Sequence, residues 1–145
     1  MQRPRPTLPT TLALLQLATA CAGTQAATDR KLQQMVFDLQ RTNPGIVRLS
    51  VHRYDPDLGG VIVASTVKAK VGLPSHSEDL RAMATLQPVV IEDGTDLDVT
   101  VPILVRDGRA QACVGVVMAT GRRTVRATLI TQAEAIAHEI EHAID

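Results

Sequence analysis

Over positions 46–54 the chain alternates with period two. Val47, Leu49 and Val51 fall on one face and Arg48, Ser50, His52 and Tyr54 on the other, the pattern of a half-buried strand. Asp55-Pro56-Asp57-Leu58-Gly59-Gly60 supplies turn chemistry, so 61–66 is expected to return antiparallel as its hairpin partner. Upstream, Leu32, Met35, Val36 and Leu39 recur at i, i+3, i+4 and i+7, which predicts a helix over 29–42, stopped by Asn43-Pro44-Gly45. Downstream lie a Lys-rich crossing and a Gly72-Leu73-Pro74 turn. Ser75-His76-Ser77-Glu78 then fits an S-x-x-E capping box at the start of a short helix, with Leu80, Met83 and Ala84 on its buried side.

Pro88 opens a strand at 89–91, and Asp93-Gly94-Thr95-Asp96 turns the chain. Positions 98–105 alternate again, with Val99, Val101, Ile103 and Val105 on one face; Pro102 implies an edge position or a bulge. Arg106-Asp107-Gly108-Arg109 is a hairpin signal. The nearly continuous apolar run 110–119 then reads as a strand buried on both sides, the centre of the sheet. After Gly121 a last helix carries Leu129, Ala133, Ile136, Ala137, Ile140, Ala143 and Ile144 on one broad stripe. Thr131 with Glu134 offers a second capping box, which leaves the start of that helix open by several residues. The order is helix, two strands, helix, three strands, helix.

Composition narrows this picture. A chain of 145 residues supports one core. With 45% hydrophobic residues but one Tyr, one Phe and no Trp, that core must be aliphatic. Fifteen basic and fifteen acidic side chains cancel, leaving no excess charge to attract nucleic acid or anionic lipid. Arg3 and Arg5 precede an apolar stretch over 8–20 and a run of small residues, which together describe a signal peptide over 1–27, too short for an ordinary membrane span. Leu17-Ala18-Thr19-Ala20-Cys21-Ala22-Gly23 resembles a bacterial lipobox, in which Cys21 is lipidated, although Ala18 stands where Leu is more usual. Cleavage near Thr24-Gln25-Ala26-Ala27 is the other reading. Both imply export, to the periplasm or to a lipid-anchored position at a bacterial cell envelope, with a domain over 28–145. Cys113 then stands alone in an apolar run, unable to form an intramolecular disulfide, and reads as an inert buried thiol.

The order of elements resembles that of the Cache and PAS-like sensory domains found on the outer side of bacterial membranes. The residues that carry the resemblance are Val63-Ala64-Ser65-Thr66, Lys70-Val71-Gly72-Leu73-Pro74-Ser75 leading into Glu78-Asp79-Leu80, Val101-Pro102-Ile103, Asp107-Gly108-Arg109 and Gly115-Val116-Val117. The resemblance implies an α+β fold: a PAS-like five-stranded antiparallel sheet with an N-terminal helix, a short inserted helix and a C-terminal helix. One face of that sheet, with the short helix, would enclose a small-molecule pocket, making the domain a binding module and not a catalyst. In the amino-acid-binding branch of the family, aromatic residues, an Arg and a late Asp grip the ligand. This chain has almost no aromatic residues, so that specificity does not carry over.

The candidate ligand site is the polar face of the first strand, Arg48, Ser50, His52 and Tyr54, joined by Asp98 and Thr100 on the later strand and by His76 before the short helix. Covered by the crossing over 61–80, these groups would bind a carboxylate or another small polar metabolite through charge-assisted hydrogen bonds. Left uncovered, they are the solvated face of an antiparallel sheet. A second candidate is His138-Glu139-Ile140-Glu141-His142, which matches H-E-x-x-H, with His138 and His142 as zinc ligands and Glu139 as general base of a hydrolase. Glu141 places a charge where zinc peptidases generally have an uncharged residue, and the histidines lie opposite the Ile136/Ile140 stripe, so a solvated helix face is expected. A structural envelope protein that binds a protein partner is a further alternative. Arg122, Arg123 and Arg126 form a small basic cluster that reads as solvated surface. Gly59-Gly60 and Gly121 match no phosphate-cradling pattern, and no cofactor is expected. No Ser/His/Asp arrangement is readable by spacing; the serines beside His76 are assigned to capping. The partners expected are a small-molecule ligand and a signalling protein or second copy of the chain, with membrane contact only through the lipid anchor.

Overall fold

The structure, a computed structural model, describes residues 11–104, 110–121 and 125–144. The elements are α1 (Thr11–Thr42), β1 (Ile46–Arg53), β2 (Val61–Ser65), a 3-10 turn at Lys68–Lys70, α2 (Ser77–Thr85), β3 (Val89–Asp93), β4 (Asp96–Leu104), β5 (Ala110–Ala119) and α3 (Arg126–Ile144). The five strands form one antiparallel sheet in the order β2-β1-β5-β4-β3. This is the expected α+β arrangement, with β5 at its centre.

The period-two patterns divide the sheet into two chemistries. Leu49 and Val51 of β1, Leu97, Val99, Val101 and Ile103 of β4, and Val114, Val116 and Met118 of β5 face α1 and α3. There they meet Leu32, Val36 and Leu39 of α1 and Leu129, Ala133, Ile136, Ala137 and Ile140 of α3 in one aliphatic core. Full burial of each such side chain contributes roughly 1.5–3 kcal/mol, which lets a core with hardly any aromatic residues hold the domain. The other face carries Ser50, His52, Thr100, Cys113 and Gly115, all buried, beneath α2.

Several boundaries differ from the sequence expectation. α1 begins at Thr11, well before 29, and runs through the segment assigned to the leader. Among the described residues no helix is long and apolar enough to cross a membrane. The register of β1 against β5 shifts between Ile46 and Arg48, so Val47 is squeezed out at 48% exposure while Ile46 takes the buried place. β4 starts two residues early, at Asp96. Pro102 lies past Thr100, the last β4 residue paired with β3, and just before a register shift at Ile103/Leu104, so the missing N–H faces no neighbouring strand. α3 starts at Arg126, before the Thr131 alternative. The hairpin signal at 106–109 and the cluster members Arg122 and Arg123 lie outside the described residues; Arg126 pairs with Glu92 at 2.9 Å on the surface.

The crossing over 61–80 folds back along the open side of β2. Ile62 N–H donates to Leu73 O (3.0 Å), Gly72 N–H to Ile62 O (2.8 Å) and Ser75 N–H to Gly60 O (3.0 Å), satisfying an edge that would otherwise be bare. Gly72 makes the reversal in the left-handed region, at φ +88°. From the helix side, the Gln33 amide brackets Ser65, donating to its carbonyl (2.8 Å) and accepting from its N–H (3.1 Å). Gly60 is where crossing and hairpin come closest: a Cβ there would sit 2.9 Å from both Leu80 Cδ2 and Ser75 Oγ and 3.0 Å from Ser75 Cβ. Gly60→Ala is therefore expected to destabilise the protein by about 1–3 kcal/mol, whereas Gly45→Ala, with nothing within 4 Å, leaves stability nearly unchanged. Urea denaturation of the two variants checks this, and equal midpoints would contradict the close approach.

Candidate functional site

Asp79 organises the covered face. Expected capping through Ser75 and Glu78 is displaced by one residue: His76 is the N-cap of α2, and its N–H donates to Asp79 Oδ2 at 2.9 Å. The helix accordingly buries Asp79, Ala82 and Met83, at i, i+3 and i+4, whereas Leu80 is half-buried and Ala84 exposed. This rotation turns the Asp79 carboxylate down onto the sheet. There Thr100 of β4 donates its hydroxyl to Oδ1 at 3.3 Å, and His52 Nδ1 of β1 approaches Oδ2 at 3.2 Å. The Cys113 thiol of β5 donates to the Asp79 carbonyl at 3.7 Å.

Ser75, freed from capping, places its hydroxyl 3.0 Å from His52 Nδ1. Serine, histidine and aspartate thus do converge, although no spacing in the sequence announces it. Their geometry is not that of an acyl-transfer triad. Ser75 and Asp79 both meet Nδ1, whereas a hydrolytic triad needs the nucleophile on one ring nitrogen and the carboxylate on the other. With the carboxylate as acceptor, Nδ1 carries the hydrogen, and Nε2 is left as an acceptor above Gly115, where a Cβ would stand 3.5 Å away.

Beside this cluster Arg48 Nη2 pairs with Asp98 Oδ2 at 3.3 Å, and Ser50 Oγ is 2.9 Å from Ser65 Oγ. Between the groups lies a cavity of about 30 Å³, bounded by Arg48, Ser50 and His52 of β1, Ile62 of β2, Asp98 of β4 and Gly115 of β5, and closed by Lys70, His76, Glu78 and Asp79. Five of the seven sequence candidates, Arg48, Ser50, His52, His76 and Asp98, line it. Thr100 lies buried beneath, holding Asp79. Tyr54 does not belong: at 57% exposure it stands at a separate surface hollow with Gly59, Leu80, Met83 and Ala84. Its N–H still donates to Gln111 O of β5 at 2.7 Å, so it keeps the α2 side of the sheet, but at the end of the strand beyond the cavity. Sequence reasoning missed Asp79, Ser75, Lys70, Glu78 and Gly115 as parts of the site. The stretches quoted for the family resemblance, Lys70 to Leu80 and Gly115-Val116-Val117, contain them without assigning them to the site.

Burial dominates the electrostatics. It lowers the His52 pKa from 6.5 to about 4, helped by the positive potential of His76 and Arg48, so the imidazole is neutral near pH 7. It also raises the Asp79 carboxyl, against the pull of the His76 N–H and the Thr100 hydroxyl, and raises Asp98, against the pull of Arg48. The Cys113 thiol is likewise pushed up by burial, in keeping with an inert thiol.

His138 and His142 stand exposed on α3, away from this cavity, and Glu139 is exposed beside them. No group of three or more metal-ligating side chains occurs among the described residues.

No family model and no curated protein matches the sequence. Solved structures do match. A methyl-accepting chemotaxis protein (residues 122 to 287) superposes with a TM-score of 0.62 at 19% identity, covering 81% of this chain and 88% of that one. The GAF domain region of a putative membrane protein from Geobacter sulfurreducens PCA gives 0.63 at 9% identity, covering 86% and 97%. A type II free methionine-R-sulfoxide reductase from Thermoplasma acidophilum gives 0.51 at 13%, covering 79% and 93%. What is shared at such identities is the fold, and the fold of this chain is GAF/PAS-like.

The displaced His52 titration fixes an acid response. Between pH 6.5 and about 4 the unfolded chain binds a proton at His52 that the folded chain does not, so stability falls as pH falls through that window. The loss across the whole window is on the order of 3 kcal/mol. Asp79 and Asp98 act in the opposite sense, since their raised folded-state values let the folded chain take up protons before the unfolded one. Urea midpoints for the wild type should therefore drop between pH 6.5 and pH 4, and those of His52→Gln should drop much less. Parallel profiles would place the acid sensitivity elsewhere.

Proposed function

We propose that the chain is a small-molecule binding module of a sensory system, with the covered face of Arg48, His52, Asp79 and Asp98 as its ligand site. The observation that supports this most directly is that an ion pair and a His–Asp contact are kept under α2 around a cavity. The partly exposed Arg48–Asp98 pair adds little stability and the buried His52–Asp79 contact carries a desolvation cost, so a purely structural sheet would be served as well or better by aliphatic residues there.

The lining indicates the ligand's chemistry. Arg48 and Lys70 suit a carboxylate, His52 Nε2 accepts a hydrogen bond, and Asp79 and Asp98 suit a donor on the same molecule. A small carboxylate that also carries a hydrogen-bond donor satisfies both sides. The cavity of about 30 Å³ holds no more than about one water. Such a ligand therefore enters by displacing the crossing around Lys68–Lys70, which is solvent-exposed from Val67 to Ala69 and from Val71 to Pro74 and is held to β2 by backbone hydrogen bonds. The ordered residue set from Val63 to Val117, together with the basic and apolar leader, supports a Cache-type module exported to the cell envelope and anchored through Cys21, passing its signal to another protein.

A thermal-shift screen of the protein against organic acids, amino acids, purines and divalent metals tests the reading, a metabolite-dependent rise in Tm being the expected result. For a ligand found this way, Arg48→Ala should weaken binding about a hundredfold or more, roughly 3 kcal/mol, with far-UV circular dichroism unchanged, while Tyr54→Ala leaves affinity as it was. Unaltered affinity in Arg48→Ala would remove Arg48 from the site.

A further inference from the structure

The proposed ligand site leaves one motif of the sequence without a role, the paired histidines of α3. His138 and His142 are one turn apart, and their Nε2 atoms lie 3.1 Å from each other, with ring centroids 4.3 Å apart and an interplanar angle of 65°. Two imidazole nitrogens bound to one ion at about 2.0–2.1 Å are separated by roughly 2.9 Å when cis at a right angle and roughly 3.4 Å when tetrahedral. The observed separation falls inside that bite.

A second feature points the same way. His138 Nδ1 lies 3.3 Å from Glu141 Oε2, and Glu141 Oε1 accepts the backbone N–H of Leu104, at the end of β4, at 3.0 Å. The carboxylate is thus fastened to the sheet and can only accept, so His138 carries its hydrogen on Nδ1 and turns the Nε2 lone pair toward His142. A carboxylate behind a histidine is the arrangement that fixes tautomer and ring orientation in metal ligands.

We propose that His138 and His142 form a surface two-histidine site for a divalent transition-metal ion, with water in the remaining positions and Cu²⁺ preferred over Zn²⁺ in line with the general affinity order. In the metal-free state His142 donates through Nε2 to His138; to bind, it moves that hydrogen to its own Nδ1, so no net proton is released. Glu139, the general base of the H-E-x-x-H pattern, projects elsewhere on the helix, into the hollow against Lys31, Gln34 and Met35 of α1. The site therefore binds a metal without the base that peptide hydrolysis requires.

Titration of the full chain with Cu²⁺ in a non-coordinating buffer tests this by calorimetry and by paramagnetic broadening of the imidazole proton signals. The chain has four histidines. One ion per chain is expected, with His138 and His142 broadened while His52 and His76 stay sharp. His138→Ala and His142→Ala should each lower the affinity by about tenfold or more, and Glu141→Gln by about 10–100-fold, the usual effect of removing an outer-sphere partner. All three residues lie on the outer part of a helix whose core contacts are elsewhere, and circular dichroism will show that the helix is retained. Broadening centred on His52 or His76, unchanged affinity in either histidine variant, or unchanged affinity in Glu141→Gln would each overturn the proposal. None of these readouts depends on a ligand of the sheet cavity.

Discussion

A single carboxylate holds the polar half of this molecule together. Asp79 accepts the first free N–H of α2 from His76, the hydroxyl of Thr100 on β4 and the approach of His52 Nδ1 on β1, so the helix is fixed to two strands through one side chain. A carboxylate only 5% exposed is costly to bury without donors, and here the donors come from three separate elements. Removing any one of them leaves the buried carboxylate short of a donor, which makes the cluster behave as a unit. The position of α2 follows from it, and with α2 the existence of a covered cavity in place of an open polar sheet.

The opposite face of the sheet makes that arrangement affordable. Leu49, Val51, Val99, Val114, Val116 and Met118 pack against α1 and α3 with almost no exposure, so stability rests on one aliphatic layer and the polar layer is free to specialise. β5 belongs to both: Ala112, Val114, Val116 and Met118 enter the aliphatic core, and Cys113, Gly115 and Val117 form the floor under α2. Gly115 matters there for what it lacks, since a side chain would rise toward His52 Nε2, Asp79 Oδ1 and Thr100 Oγ1 together.

Much of this was legible from the chain alone, because strand alternation and helix periodicity are local and burial enforces them. The five strands, the central place of β5, the meaning of Pro102 and the pairing of Arg48, Ser50 and His52 on one face all followed from spacing. What was not legible depended on offsets of a single residue. The extrusion of Val47 leaves the buried pattern nearly intact, because Ile46 replaces it. Glu78 and Asp79 are equally plausible capping residues on paper, and only the docking of α2 onto β4 and β5 selects Asp79, which frees Ser75 for His52. Tyr54 kept both the period and the α2 side of the sheet, its N–H bonding Gln111 O, but it stands past the end of the cavity, and alternation gives a face without giving a position along the strand.

The GAF/PAS-like fold is shared by a chemotaxis protein and by a sulfoxide reductase, so it leaves the choice between binding and catalysis to the site. The site's geometry is that of a hydrogen-bonded cluster: the Ser75 and Asp79 groups meet one ring nitrogen of His52, the thiol of Cys113 is buried against the Asp79 carbonyl, and Arg48 is paired with Asp98. On the proposed reading, a ligand carboxylate takes Arg48 from Asp98, and a ligand donor competes for the carboxylate that fastens α2. The groups that would recognise the ligand are therefore the same groups that hold the cover closed. A ligand shifts a conformational equilibrium only by binding its states unequally, and on that proposed reading this shared set of contacts is what would supply the inequality, coupling occupancy of the cavity to the position of α2 and the crossing that leads into it.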